Sequence, residues 1–284
     1  MRKGIIFTGK AIKGYIEYLH EQERSESTIK SYKRELMSLQ LFLDCQPMTK
    51  DKLLSYKTML TSQYAPTTCN VSIAAINSYT KYIGRPDLML KPLKIQRQIY
   101  EPVEKELTRK EYDKLIRAAT FNGQEKLSLI IQTICSTGIR ISELQYISVE
   151  SLKEGKTLVT NKEKSRIVFI PAQLKRVLKK YVINSNVSSG PIFATRSGKP
   201  IDRSNIWASM KKLCNIAGVN PQKVYPHNLR HLFARTYYNQ YHDLSRLSDL
   251  LGHTNINTTK IYTMETGAVH ARQIAALGLV QDTT

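Results

Sequence analysis

The chain has 284 residues, enough for one large domain or two ordinary ones, and its hydrophobic content of 41% is adequate for buried cores. Its formal net charge of +20 favours a polyanionic partner, and its division into +8 for residues 1–100 and +12 for residues 101–284 excludes a single basic tail. The apolar run Gly4–Phe7 is too short for a signal-peptide core, and polar residues interrupt Leu127–Ile139, the most apolar stretch, so that it cannot span a bilayer. These features predict a cytoplasmic protein.

The first hundred residues are predicted to form a small bundle of four amphipathic helices. Apolar residues recur at intervals of three and four along each predicted helix, as expected for one buried face. Helix-starting and helix-ending residues separate the four segments. In chain order, the signals are a helix from Ala11 to Gln22, a cap at Ser27, a cap at Thr49 with a helix to about Ser62, a start near Pro66, and stops at Gly84 and Pro86.

Residues 85–106 contain three prolines and scattered charges, which predicts an extended connector. The sequence Thr-Arg-Lys-Glu that begins at Thr108 then matches a capping box and predicts the first helix of a second domain. The predicted boundaries are therefore residues 1–97 for the first domain, 98–106 for a linker and 107–284 for the second domain.

The second domain is predicted to be mostly helical with one β-hairpin. Thr157–Thr160 and Arg166–Ile170 are β-prone runs, and residues 161–165 turn the chain between them. Pro171 is expected to open the next helix, Ser204 to cap a later one, and Gly218 to end it. The predicted fold class is mainly α with two domains, of which the second is mixed α/β with a small antiparallel sheet.

The four cysteines are far apart in the sequence and contain no Cys-x-x-Cys pair. Each falls in an apolar or helical context, so all are predicted to be buried thiols, in keeping with a reducing cytosol. They are Cys45, Cys69, Cys135 and Cys214.

Several cationic residues of the second domain lie where they are able to bind an anion. Arg140 is predicted at a helix start, where backbone N–H groups also favour negative charge. His227 and Arg230 are three residues apart, so a helix places them on one face. Each has an ordinary interpretation: Arg140 as a surface arginine paired with Glu143, and the histidines as core or surface residues. A metal site formed by His227 and His231 lacks an evident third ligand.

Taken together, three segments resemble the motifs of the tyrosine recombinase (phage integrase) family. They are TGIRISEL at Thr137–Leu144, HNLRH at His227–His231, and LGHTNINTTKIY at Leu251–Tyr262. The resemblance implies that Tyr262 is a nucleophile that attacks a DNA phosphate. It implies a catalytic set of Arg140, Lys162, His227, Arg230, His253 and Tyr262.

The family also carries a lysine on a β-hairpin, where it protonates the leaving 5′-hydroxyl. Lys162 fits this position best, because it directly follows the first predicted strand. Lys164 is a rival, and a solvated basic turn is the ordinary interpretation. An unperturbed tyrosine is protonated at pH 7, so the nucleophile requires activation by neighbouring groups.

The resemblance implies a site-specific DNA recombinase with a four-helix, SAM-like core-binding domain and a catalytic domain that together clamp duplex DNA. Cleavage would proceed through a covalent 3′-phosphotyrosine and a Holliday junction, in a homotetramer on inverted-repeat sites. The phosphotyrosine keeps the bond energy, so no ATP, metal or other cofactor is expected. The sequence alone favours packing of the amphipathic segment Val269–Val280 on its own domain, whereas the resemblance implies that it docks on the neighbouring protomer.

Two departures from Xer-type recombinases bear on the biological role. Those proteins usually have Thr-His after a Phe-Ala pair, whereas Arg235 and Thr236 occur here, and no histidine follows shortly after Tyr262. The departures favour a mobile-element recombinase or DNA invertase over a housekeeping role in chromosome-dimer resolution. The alternatives are a type IB topoisomerase-like enzyme and an inactive DNA-binding relative.

Overall fold

The computed structural model of the chain describes residues 5–95, 106–161, 164–195, 198–253, 255–260, 272 and 275–278. The chain folds into two compact units, Met1–Arg97 and Gln98–Thr284. Helices dominate both units, and the described residues contain one two-stranded antiparallel sheet, so the predicted fold class is confirmed. Within this part of the chain, no helix has the length and apolar character that a membrane crossing requires.

The amino-terminal unit is a bundle of four helices whose first residues are set by capping side chains. The helices are α1 (Gly9–Glu21), α2 (Glu26–Leu43), α3 (Lys50–Gln63) and α4 (Pro66–Tyr82). Thr49 caps α3 and Pro66 begins α4, as predicted. The prediction that Ser27 caps α2 is wrong. Ser25 has the extended backbone of a cap and accepts the Thr28 N–H at 3.4 Å, whereas Ser27 lies inside the helix.

Two asparagines of α4 bind the backbone of the segment that follows this helix and hold it against the bundle. Asn77 accepts the backbone N–H of Leu90 at 2.7 Å and donates to the carbonyl oxygen of the same residue at 2.8 Å. Asn70 makes the same pair of bonds with Leu93, at 2.7 and 3.0 Å. These bonds satisfy backbone groups beside the helix. The prediction of an extended connector is therefore wrong for the first part of residues 85–106, which packs on the bundle.

The carboxy-terminal unit is arranged around a central apolar helix, α6. In chain order, its elements are α5 (Arg109–Phe121), α6 (Glu125–Thr137), α7 (Val149–Glu154), β1 (Lys156–Asn161), β2 (Lys164–Phe169), α8 (Ala172–Asn184), α9 (Arg203–Ala217), α10 (Pro226–Tyr241), α11 (Leu244–Leu251) and α12 (Ile256–Thr259). Ile131 and Ile134 of α6 are fully buried, and this helix packs against α5, α8 and α10. The capping box predicted at Thr108 is present and begins α5.

The predicted hairpin is present, with strands that extend further into the turn than expected. Asn161 pairs with Lys164, so two residues connect β1 to β2. Pro171 precedes α8, and Gly218 ends α9 with a φ of 61°, both as predicted. The predicted cap at Ser204 is wrong, because Asp202 Oδ1 accepts the Ser204 N–H at 2.7 Å and caps α9.

Two ion pairs hold the beginning of this unit against α10 and the loop before it. Arg235 of α10 pairs with Glu106 at 2.5 Å and donates to the carbonyl oxygen of Leu107 at 3.1 Å. Lys223 donates to Glu111 at 2.9 Å. Arg235 is one of the residues that depart from the Xer-type sequence, and these contacts give it a structural role in this chain.

The prediction of buried cysteines is confirmed for Cys69 and Cys214, and Cys135 is partly buried. It is wrong for Cys45, which is exposed because α2 ends before it and its φ of 61° lies in the left-handed region. Most of the predicted carboxy-terminal segment Val269–Val280 lies outside the described residues. Of its apolar residues, Leu277 is described and is 64% exposed.

Gly138, which ends α6, provides a test of the packing beside Arg140. Its φ is +64°, and a Cβ there would lie 2.6 Å from Phe233 Cδ1. Gly123 has a similar φ of +67° but nothing within 4 Å of the added atom. Both Gly→Ala variants should lose about 1–2 kcal/mol from left-handed strain, and Gly138→Ala should lose a further 1–3 kcal/mol, roughly, from overpacking. Equal losses in urea unfolding of the two full-length variants would contradict this packing.

Candidate active site

The centre of the candidate site is a buried carboxylate, Glu143, which is 2% exposed. Arg140 directly precedes the 3-10 segment Ile141–Tyr146 that contains it. Glu143 Oε1 accepts from Arg140 Nη1 at 2.8 Å, and Oε2 accepts the Arg140 backbone N–H at 2.9 Å. The pairing expected for an ordinary surface arginine is thus present. The side chain of Arg140 nevertheless remains 34% exposed, and it lies beside the other motif residues.

Arg166 of β2 is the second partner of this carboxylate. Its Nη1 donates to Glu143 Oε1 at 2.9 Å and its Nη2 donates to Oε2 at 2.7 Å, while Nε donates to the carbonyl oxygen of Leu250 at 3.3 Å. Burial alone would raise the pKa of Glu143, but the hydrogen bonds from Arg166 and Arg140 outweigh it and lower this pKa to about 2. Glu143 is therefore ionised at all ordinary pH values.

Sequence reasoning missed the structural importance of both Glu143 and Arg166. Glu143 entered only as a possible partner of Arg140, and Arg166 only as the first residue of a β-prone run. The pair is separated by 23 residues, so no local pattern reveals it. The fold also places Gly252, which precedes His253, against Arg166, since a Cβ there would lie 2.6 Å from Arg166 Cδ.

Arg230 of α10 is fixed by the carboxy-terminal ends of two other helices. Its Nη1 donates to the carbonyl oxygen of Gly138 after α6, and its Nη2 donates to that of Leu251 in α11, both at 2.6 Å. Helix carboxy termini carry partial negative charge and therefore favour a cation. The residue is 2% exposed, so its guanidinium is held in one orientation. Pro226 begins α10, which confirms the predicted helix start and places His227 in its first turn.

His253 lies in the loop after Gly252, as predicted, and contacts Arg230. Its Nε2 is 3.1 Å from Arg230 Nη2, and its Nδ1 is 2.8 Å from Thr259 Oγ1. Arginine has no acceptor, so Nε2 is the acceptor and Nδ1 carries the proton. Burial, followed by the charges of Arg230 and Arg140, lowers the pKa of His253 to about 4. The imidazole is thus neutral at pH 7.

His227 stands beside the same two arginines. The residue is exposed at the surface, yet desolvation of its ring by the surrounding protein, followed by the charges of Arg230 and Arg140, lowers the pKa of His227. Its ring centroid is 4.5 Å from that of His231, which is 6% exposed. Burial and His227 lower the pKa of His231 to about 3, as suits a core histidine. The described residues contain no group of three side chains suited to bind a metal.

The structure therefore brings together four of the six predicted residues: Arg140, His227, Arg230 and His253. The other two, Lys162 and Tyr262, lie outside the described residues. In sequence, Lys162 falls in the two-residue connection between β1 and β2. The two guanidinium groups and the two imidazoles form a cationic cluster. Such a cluster suits the non-bridging oxygens of a phosphodiester, on which negative charge grows during substitution at phosphorus.

The phage integrase family matches residues 105–268, and the phage integrase N-terminal SAM-like domain matches residues 12–85. A tyrosine recombinase of Agathobacter rectalis is 30% identical, with 89% of this chain and 90% of that protein covered. The tyrosine recombinase XerD of Xanthomonas campestris is 27% identical, with 90% and 87% covered.

Solved structures show the same fold. XerH site-specific recombinase bound to difH substrate has a TM-score of 0.70 and 20% identity, with 94% of this chain and 84% of that chain covered. A lambda integrase dimer bound to a core site has a TM-score of 0.72 and 16% identity, with 92% and 96% covered.

The low pKa of His253 predicts a loss of stability in mild acid. The unfolded chain binds a proton at His253 below about pH 6.5, but the folded protein does so only at about pH 4. Stability should therefore fall as the pH falls through this window, by at most about 1.4 kcal/mol per pH unit for one such histidine. The pH dependence in urea unfolding should be weaker for His253→Gln than for the wild type. The same slope for both proteins would contradict the assignment.

Proposed function

Because the chain belongs to the phage integrase family of tyrosine site-specific recombinases, we propose that its catalytic set is completed by Tyr262 as the nucleophile and Lys162 as an acid. The described members of the proposed set are Arg140, His227, Arg230 and His253. The observation that carries this proposal is the cluster itself: Arg140, Arg230 and His253 come from distant parts of the chain and meet around the ends of α6 and α11.

In the proposed reaction, the hydroxyl oxygen of Tyr262 attacks the scissile phosphorus, and the bond to the 5′-oxygen breaks. A 3′-phosphotyrosine forms, and Lys162 donates a proton to the departing oxygen. Arg140 and Arg230 bind the non-bridging oxygens through planar forks, and His227 takes or returns the proton of the tyrosine. The reverse reaction with a 5′-hydroxyl of another strand rejoins the DNA. The phosphotyrosine retains the bond energy, so no ATP is consumed.

We further propose that the substrate is duplex DNA with inverted-repeat sites and that strands are exchanged in a homotetramer. The positive charge of both parts of the sequence supports contact with DNA phosphates along the whole chain. A lambda integrase tetramer bound to a Holliday junction has the same fold. We favour integration or excision of a mobile element, or DNA inversion, because Arg235 and Thr236 depart from the Xer-type sequence. Family membership favours a recombinase over the topoisomerase-like alternative.

The assignment of Tyr262 is tested by trapping the covalent intermediate. The substrate is a duplex carrying the binding site, found by footprinting, with a nick next to the scissile phosphate. Tyr262→Phe removes only the attacking oxygen and should abolish the covalent adduct while DNA affinity stays nearly unchanged. Tyr241→Phe is the matched control, since Tyr241 is 58% exposed on α10, and should form adducts normally. An adduct with Tyr262→Phe would show that another residue attacks.

The role of Lys162 is tested with a leaving group that needs no acid. In a substrate with sulfur in place of the bridging 5′-oxygen, the departing thiolate is stable without protonation. Lys162→Ala should therefore cleave this substrate well and normal DNA badly. Lys164→Ala is the matched control and should cleave both substrates at the wild-type rate. A selective defect in Lys164→Ala instead would exchange the two assignments, and equal defects on both substrates would indicate a structural hairpin.

A further inference from the structure

Glu143 receives hydrogen bonds from four donors, which is the full capacity of a carboxylate. Arg140 supplies two of them, one from its side chain and one from its backbone. Arg166 supplies the other two through Nη1 and Nη2, one to each oxygen. Each oxygen of Glu143 thus has two partners, and neither has room for another guanidinium N–H.

Because all four acceptor positions of Glu143 are occupied, the carboxylate binds only part of the Arg140 guanidinium. An arginine beside a carboxylate commonly donates two parallel bonds to it. Here only Nη1 of the Arg140 side chain contacts Glu143, and its Nη2 and Nε bond to none of the residues that the structure describes. We propose that Arg166 is a positioning residue that occupies both oxygens of Glu143 and so keeps the fork of Arg140 available for a DNA phosphate. This inference rests on the proposed function of Arg140.

Charge leads to the same conclusion as geometry. Two arginines and one carboxylate carry a net charge of +1, whereas Arg140 and Glu143 alone would be neutral. Without Arg166, a buried carboxylate with two empty acceptor positions would attract the rest of the Arg140 fork, because an unpaired buried charge is costly. Arg140 would then donate more of its N–H groups to Glu143, and fewer of them would remain in position to bind the phosphate.

The surroundings of Arg166 fix it in this role. Its side chain is 11% exposed, and its Nε is held by the carbonyl oxygen of Leu250. Gly252 leaves room for its Cδ, since a Cβ at that residue would lie within 2.6 Å. A lysine at this position is a point charge and cannot donate to both oxygens in a fixed plane.

The test compares single-turnover cleavage of the nicked duplex with DNA affinity. Arg166→Gln should cleave on the order of 10²-fold more slowly, as expected for a misplaced catalytic group, with little change in affinity. Arg109→Gln removes the same charge from a side chain that is 73% exposed and should cleave at the wild-type rate. The double variant Glu143→Gln/Arg166→Gln should cleave faster than Arg166→Gln, because an uncharged residue 143 no longer captures Arg140. A double variant that is no faster would indicate a merely structural role and overturn the inference.

The substrate with a bridging 5′-sulfur distinguishes an effect of Arg166 on Arg140 from an effect of Arg166 on the hairpin lysine. The defect of Arg166→Gln should persist on that substrate, since charge still grows on the non-bridging oxygens. Full rescue would assign the defect to the leaving group and overturn the inference.

Two further variants complete the experiment. If thermal melting shows that Arg166→Gln does not fold, Arg166→Lys replaces it. Arg166→Lys should also be slow and should not be rescued by sulfur, and a wild-type rate would overturn the inference.

Arg140→Ala identifies a failure of the proposed function, because a wild-type rate in this variant would overturn that function and the role of Arg166 with it. A slow Arg140→Ala beside a fast Arg166→Gln would overturn the present inference alone.

Discussion

The ionised carboxylate of Glu143 is the constraint on which the rest of the site depends. A buried charge is tolerated only when it is paired and hydrogen-bonded. Its two partners come from different elements, Arg140 from the segment after α6 and Arg166 from β2. Satisfying this one carboxylate therefore fixes the hairpin against the first arginine motif. Because Arg166 also donates to the carbonyl oxygen of Leu250, the same interaction reaches the end of α11, which leads into the loop that carries His253.

Among the residues that the structure describes, Arg230 is held by neutral groups and not by a carboxylate. Its described partners are the carbonyl oxygens of Gly138 and Leu251 and the ring of His253, none of which is ionised. Helix carboxy termini orient a guanidinium without neutralising it. Gly138 and Gly252 make this possible, since both adopt left-handed backbone at positions where a Cβ would collide with a neighbouring side chain. The site thus combines fixed geometry with a surplus of positive charge.

The parts of this structure that sequence reasoning predicted are those with local signals. The capping box at Thr108, the hairpin and the loop at His253 each depend on residues a few positions apart. The predicted caps at Ser27 and Ser204 each lie two residues after the observed caps. Neighbouring polar residues compete for the capping position, and the backbone conformation decides between them. The bond from Arg166 to Glu143 joins residues that only the fold brings together. Local patterns carry no information about such a pair.

The arginines also determine how the histidines of the proposed site respond to DNA. Without a phosphate, the charges of Arg230 and Arg140 add to desolvation and hold the pKa values of His227 and His253 below the usual range. A bound phosphodiester brings a negative charge next to the same imidazoles and opposes the effect of the arginines. Substrate binding therefore raises the proton affinity of both rings, and by linkage their protonation strengthens the binding of the phosphate. In the proposed site, a histidine that is neutral before DNA arrives thus becomes able to hold the proton of the nucleophile when the phosphate is in place.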